Sequence, residues 1–143
     1  MARTDSLEVA TLLHRAAIRL LRAVRVTDAE TGVSAPKLSA LSVLTFGGAM
    51  SLSALARAEQ VTAPTMSKLV GDLEAEGLVA KRADREDKRG VRIEVTAKGR
   101  ALMEEGRKRR LALLHKRLAK LTREERAQLH DAAALMMRLS QAD

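Results

Sequence analysis

Residues 52–102 read LSALARAEQVTAPTMSKLVGDLEAEGLVAKRADREDKRGVRIEVTAKGRAL, and the spacing of the apolar positions changes twice within them. Residues 52–58 have the pattern of a short helix started by Ser51, and Gln60-Val61 makes a turn. Thr62 then stands as the N-cap of a second helix, with Pro64 tolerated in its first turn. Met66, Leu69, Val70 and Leu73 recur at helical spacing, and Gly77 ends the run. Leu78-Val79-Ala80-Lys81-Arg82 reads as a strand, and residues 91–95 alternate apolar and charged with period two. Between them, ADREDKRG (83–90) is polar and too long for a tight turn. Helix, turn, helix and charged hairpin, in that order, make a winged helix-turn-helix.

On either side the chain is helical. Residues 7–25 place Leu7, Ala10, Leu13, Ala17, Leu20, Leu21 and Val24 on one face, with Arg15, Arg19 and Arg22 on the other. Ser34 has the place of an N-cap before a helix with Pro36 in its first turn and Leu38, Leu41 and Leu44 inward, stopped by Phe46-Gly47-Gly48. Thr96 caps a long helix over about 97–120, where Leu111, Leu114, Leu118 and Leu121 form a heptad-like seam. Thr122-Arg123-Glu124-Glu125 is a capping box opening a last helix, in which Leu129, Ala133, Met136 and Leu139 share a face. The expected fold class is mainly α (α+β): a winged helix-turn-helix with a two-stranded β-wing, flanked by N- and C-terminal dimerisation helices. One domain over 1–143 is expected, with the winged lobe at 34–100 and helical dimerisation regions at 5–26 and 101–140.

Composition narrows the chemistry. The chain of 143 residues carries 26 Lys and Arg against 18 Asp and Glu, a formal charge of +8 that suits an anionic partner. It has no cysteine, which excludes a disulfide scaffold, a thiolate metal site and a cysteine nucleophile. Phe46 is the only aromatic residue, so the stacking platforms of a single-strand binder are missing. No apolar run approaches the length of a membrane span, and MARTDSLEVATLLHRA (1–16) lacks a secretory apolar region; a cytoplasmic location is expected.

A helix entering the major groove needs small polar side chains on its first turns, so that backbone and base edges come close. Thr62, Thr65, Ser67 and Lys68 supply hydroxyls and a cation there, on the side opposite the apolar face. Read alone, the same residues serve equally as a cap and a solvated face. The hairpin decides between the two, because residues 80–100 carry eight basic residues against four acidic ones. Arg82, Arg85, Lys88 and Arg89 lie at or near its tip, where guanidinium groups suit the negative potential of a minor groove. Asp87, two residues from Arg89, is placed to hold that guanidinium in a fixed fork.

These spaced motifs resemble the MarR family of bacterial transcriptional regulators, and the resemblance covers nearly the whole chain. Its carriers are Gly77-Leu78-Val79 entering the wing, Arg82 before the loop, Asp87-Lys88-Arg89, and Val95-Thr96-Ala97-Lys98-Gly99 at the exit, with Val95 where leucine is usual. The resemblance implies a homodimer on a pseudo-palindromic double-stranded DNA operator, acting as a repressor that a small anionic or phenolic effector relieves. It implies recognition helices in adjacent major grooves, wing arginines in the minor groove, and dimer contacts from the terminal helices. The exposed apolar stripes give Leu111, Leu114, Leu118, Leu121, Leu129, Met136 and Leu139 as dimerisation residues independently of it.

His14 and Arg15 are candidates for an effector site, as are His115 and His130 in principle, although each reads more readily as an ordinary surface or interface residue. Met66, Met103, Met136 and Met137 read as gap-filling core, and Arg107-Lys108-Arg109-Arg110 as a solvated stripe or a contact to flanking phosphate. The alternatives are a winged-helix protein-interaction module without specific DNA binding, against which Thr65, Lys68 and Arg89 argue, and a small hydrolase. Three scattered histidines without ligand spacing give neither a metal nor a catalytic centre, and no cofactor is expected.

Overall fold

The computed structural model describes residues 5–87 and 90–141. Helix α1 (Ser6–Arg25) begins at Asp5, whose carboxylate accepts the Leu7 N–H, and runs into a 3₁₀ turn, Val26–Thr31, closed by Gly32 at φ +68°. Helix α2 (Ala35–Gly47) follows Ser34, which has extended backbone but makes no side-chain cap bond. Strand β1 (Met50–Ser51) leads into α3 (Leu52–Ala58), where the Ser51 hydroxyl caps the Ala54 N–H. Helix α4 (Ala63–Ala75) and strands β2 (Val79–Ala83) and β3 (Val91–Val95) complete the lobe, and α5 (Ala97–Leu118) and α6 (Arg123–Ser140) close the chain.

The wing has one strand more than the two expected. Met50 pairs with Ile93 and Ser51 with Arg92, giving an antiparallel sheet in the order β1-β3-β2. This short strand is set by its partner and not by its own composition: two residues carry no period, and their register comes from contact with β3. The pairing anchors the root of the wing to α2 and α3 and leaves only its outer part projecting.

The core lies wholly in this lobe. Leu41, Leu55, Met66, Val70, Leu73, Val79 and Ile93 are its large fully buried side chains, drawn from α2, α3, α4 and the sheet. Of the inward sets expected from spacing, Leu38 and Leu69 are only half-buried, while Leu41, Leu44, Met66, Val70 and Leu73 are buried. The terminal helices are different. Helix α1 buries Val24 alone, and α6 buries nothing against its own chain.

Candidate nucleic-acid interface

Helix α4 is amphipathic in the sense a reading helix requires. Met66, Val70 and Leu73 fix one side in the core, and Thr62, Thr65, Ser67 and Lys68 are exposed on the other. The Thr62 hydroxyl accepts the Thr65 N–H at 3.3 Å and lies 2.8 Å from Thr65 Oγ1. Thr62 is therefore a cap and also orients its neighbour's hydroxyl. The turn before it bends through Gln60 at φ +56°, where the Val61 N–H returns to the Ala56 carbonyl at 3.0 Å. Glycine is the residue ordinarily suited to that conformation, and the spacing gives no warning of it.

The wing arginines divide by partner. Arg82 Nε donates to Glu94 at 2.7 Å across β2 and β3, and Arg92 Nε lies 3.9 Å from Asp84. Arg85 is exposed and makes no ion pair among the described residues. Lys88 and Arg89, and with Arg89 the fork expected from Asp87, lie outside the described residues; the Asp87 carbonyl accepts the Gly90 N–H at 2.9 Å. The residue that visibly shapes the loop is Asp84, which sequence reasoning passed over. Its carboxylate accepts the Glu86 N–H at 3.0 Å, and its own N–H donates to the Gly90 carbonyl at 2.9 Å. An acid bonding a backbone N–H two residues on is a readable turn signal. Asp84→Ala is expected to cost about 1 kcal/mol by chemical unfolding, the net value of one such bond.

The C-terminal end of α4 is gripped from two sides. Lys37 on α2 forms an ion pair with Glu76, while Lys98 Nζ reaches the Glu76 carbonyl at 2.9 Å and Thr96 Oγ1 donates to the Gly77 carbonyl at 2.6 Å. The hydrogen bond to Glu76 raises the Lys37 pKa above its usual range, with burial opposing it. That contribution is complete below the ordinary lysine value and is lost only as pH rises through the raised one, so the lysine side of the pair is constant near neutrality.

The basic run on α5 divides: Arg107 and Lys108 are exposed, while the other two residues pair with acids outside the helix. Arg109 Nε pairs with Glu30 at 3.1 Å and Arg110 Nε with Asp28 at 3.7 Å, tying α5 to the 3₁₀ turn. Beside this tie lies a cavity of about 670 Å³, lined in part by Arg25, Asp28, Pro36, Met103 and Arg110. His14 and Arg15 are exposed on α1 and do not line it; His115 and His130 are exposed as well. Among the expected dimer residues, Leu111, Leu129, Met136 and Leu139 are exposed, while Leu114, Leu118 and Leu121 are half-buried. No cluster of histidine and acidic side chains among the described residues has the makings of a metal site, and no helix there is long and apolar enough to cross a membrane.

A core-anchored helix with a polar outer face, a preceding short helix and a charged hairpin define a winged helix-turn-helix protein. The MarR family model matches residues 31–90, from the end of the 3₁₀ turn to the loop that precedes β3. An uncharacterized HTH-type transcriptional regulator of Mycobacterium bovis is 38% identical over 127 residues, covering 89% of each chain. The HTH-type regulator YdgJ of Bacillus subtilis is 29% identical over 76% of this chain and 66% of its own. Among solved structures, a putative transcriptional regulator of Pseudomonas aeruginosa superimposes with a TM-score of 0.82 at 27% identity, covering 98% of this chain and 99% of its own. A MarR family protein of Bacillus stearothermophilus gives 0.80 at 24% identity over 99% of both chains, which speaks to the fold. The chain belongs to the MarR family of transcriptional regulators.

Proposed function

We propose that the protein is a homodimeric, sequence-specific regulator acting in the cytoplasm, which binds a pseudo-palindromic duplex operator and represses the adjacent gene. The observation that carries this reading is α4: its apolar side is consumed by the core, and Thr65, Ser67 and Lys68 are left exposed with no packing task. Thr62, Thr65, Ser67 and Lys68 read base edges and phosphates in the major groove, while Arg82, Arg85, Lys88 and Arg89 serve the minor groove. Among relatives in fold, MepR of Staphylococcus aureus has been solved bound to an oligodeoxyribonucleotide, with a TM-score of 0.69 and 21% identity over 93% of this chain and 98% of its own.

Two further features support the assembly. The single chain exposes 11074 Å², whereas a compact monomer of this mass exposes about 7,300 Å². The excess, about 3,800 Å² per chain, is more than one partner's share of an ordinary obligate interface and so leaves ample surface for one. The division into a 34–100 reading lobe and 5–26 and 101–140 dimer regions accords with a core confined to the lobe and apolar side chains exposed on α1 and α6. The cavity beside Arg25 and Arg110 has the volume for a small effector, with the carboxylates of Asp28 and Glu59 balancing the two arginines in its lining.

The test is selection of duplexes from a random pool, then competition binding at several salt concentrations. About 8 phosphate contacts give a slope of log K against log salt near −7, and a slope shallower than about −2 would favour the protein-interaction module instead. Thr65→Ala is expected to weaken the best duplex by about 1–3 kcal/mol and leave scrambled DNA nearly unaffected. Arg85→Ala and Arg89→Ala should weaken both duplexes, each reducing the slope by about one per subunit.

A further inference from the structure

The last carbonyls of a helix have no partner within it, and how they are satisfied decides what the helix end is attached to. Helix α4 closes its own end in part: the Gly77 N–H returns to the Glu74 carbonyl and the Leu78 N–H to the Leu73 carbonyl, both at 2.9 Å, with Gly77 at φ +75°. Two carbonyls just beyond the helix, those of its cap residue Glu76 and of Gly77, are taken by the head of α5. Lys98 Nζ donates to Glu76 O at 2.9 Å, and Thr96 Oγ1 to Gly77 O at 2.6 Å. The Thr96 N–H continues the series to the Leu78 carbonyl at 3.1 Å. A cation at this end is also favoured by the helix dipole.

We propose that Lys98 and Thr96 are positioning residues for DNA reading: they hold the cap of α4, by the carbonyls of Glu76 and Gly77, so that the aim of α4 follows α5. The proposal rests on the reading of α4 as the major-groove helix. Apolar packing of Met66, Val70 and Leu73 keeps α4 in the lobe but is not directional. Hydrogen bonds at one end supply the direction. Thr65 lies ten residues from Ala75, roughly 15 Å along the axis. A tilt of about 10° about the held end moves Thr65 by on the order of 2.5 Å, many times the tolerance of a hydrogen bond. Because the Lys98 contact is exposed, it adds little to folding, and its consequence falls on orientation.

The main variant is Lys98→Met, which keeps the stem that crosses Gly77 and removes the donor; Lys98→Arg restores a cationic donor. Three quantities are read: the unfolding midpoint, affinity for the best selected duplex and its scramble, and the α4–α5 distance distribution. The last uses nitroxides at Gly71→Cys and Glu105→Cys, both exposed positions in a chain with no native cysteine, without DNA and with labelled chains diluted in unlabelled ones. Lys98→Met should broaden the distribution and lower affinity for the best duplex about five- to tenfold. Scrambled-duplex binding and the midpoint should change little, and Lys98→Arg should recover most of the loss. Equal losses on both duplexes with a shallower salt slope would make Lys98 a phosphate contact and overturn the proposal. An unchanged distribution with unchanged affinity would overturn it too. A broadened distribution with no effect on any duplex, together with a silent Thr65→Ala, would overturn it through its premise that α4 reads DNA.

Discussion

Gly99→Ala is expected to lower the unfolding midpoint by on the order of 10 °C, the largest effect of a single methyl group in this chain. A Cβ at residue 99 would stand 2.3 Å from the Leu78 carbonyl oxygen, 2.7 Å from Val95 Cγ1 and 3.2 Å from the Leu78 carbonyl carbon. Two of these neighbours are backbone atoms of a residue only 3% exposed, so the clash is not relieved by turning a side chain. The same Leu78 carbonyl accepts the Thr96 N–H, and moving it breaks the joint between α4, β2 and α5. Overpacking at a rigid site costs about 3 kcal/mol or more, and for a chain of this size that corresponds to roughly 10 °C. Gly71→Ala is the control. A Cβ there meets nothing within 4 Å, so the exchange should stabilise α4 by about 1 kcal/mol through helix propensity alone. A midpoint for Gly99→Ala within a degree or two of the native one would show that α5 can retreat from Leu78 at little cost.

The same joint shows where the sequence is legible and where it is not. Thr62, Thr96 and Thr122 each stand before a helix and each accepts the N–H three residues on, as their spacing requires. The Thr122–Glu125 box is complete in both directions. Such signals are local, so one chain segment contains all the partners. Ser34 has the same position and makes no cap bond, because nothing local compels a hydroxyl that water can satisfy. Strand β1 and the 3₁₀ turn escape notice because their partners, β3 for the one and Arg109 and Arg110 for the other, are distant in sequence. A run of four basic residues looks alike whether solvated or paired; only the fold brings Asp28 and Glu30 to it. In the candidate interface the exposed polar face of α4 follows from period and cap alone, but not what that face meets. The grip of Lys37 and Lys98 on Glu76 does not, since 39 residues separate Lys37 from Glu76 and 22 separate Glu76 from Lys98.

Leu129→Asp is expected to convert the protein to a folded monomer and to reduce operator affinity by on the order of 10²-fold or more, the advantage lost when two linked half-sites become one. Helix α6 spans 18 residues and buries none of them in its own chain, while Leu129, Leu135, Met136, Met137 and Leu139 are 40–63% exposed. Helices in water owe most of their stability to packing, so an unpacked apolar face of this length calls for a partner surface. In the proposed dimer two copies of one chain supply it by two-fold symmetry, and the two α4 helices are then expected about 34–36 Å apart, the spacing of successive major grooves. Leu129 is 48% exposed in the single chain, so aspartate there removes little packing within the subunit. Circular dichroism should retain the helical signal while sedimentation at micromolar concentration falls from twice 15.6 kDa to 15.6 kDa. Leu118→Asp separates the two roles, because Leu118 is half-buried against its own chain and should lose folding stability as well as dimer. If Leu129→Asp sediments as the native protein does and binds its operator equally well, α6 lies outside the interface, and α1 with the 111–121 seam must carry the association alone.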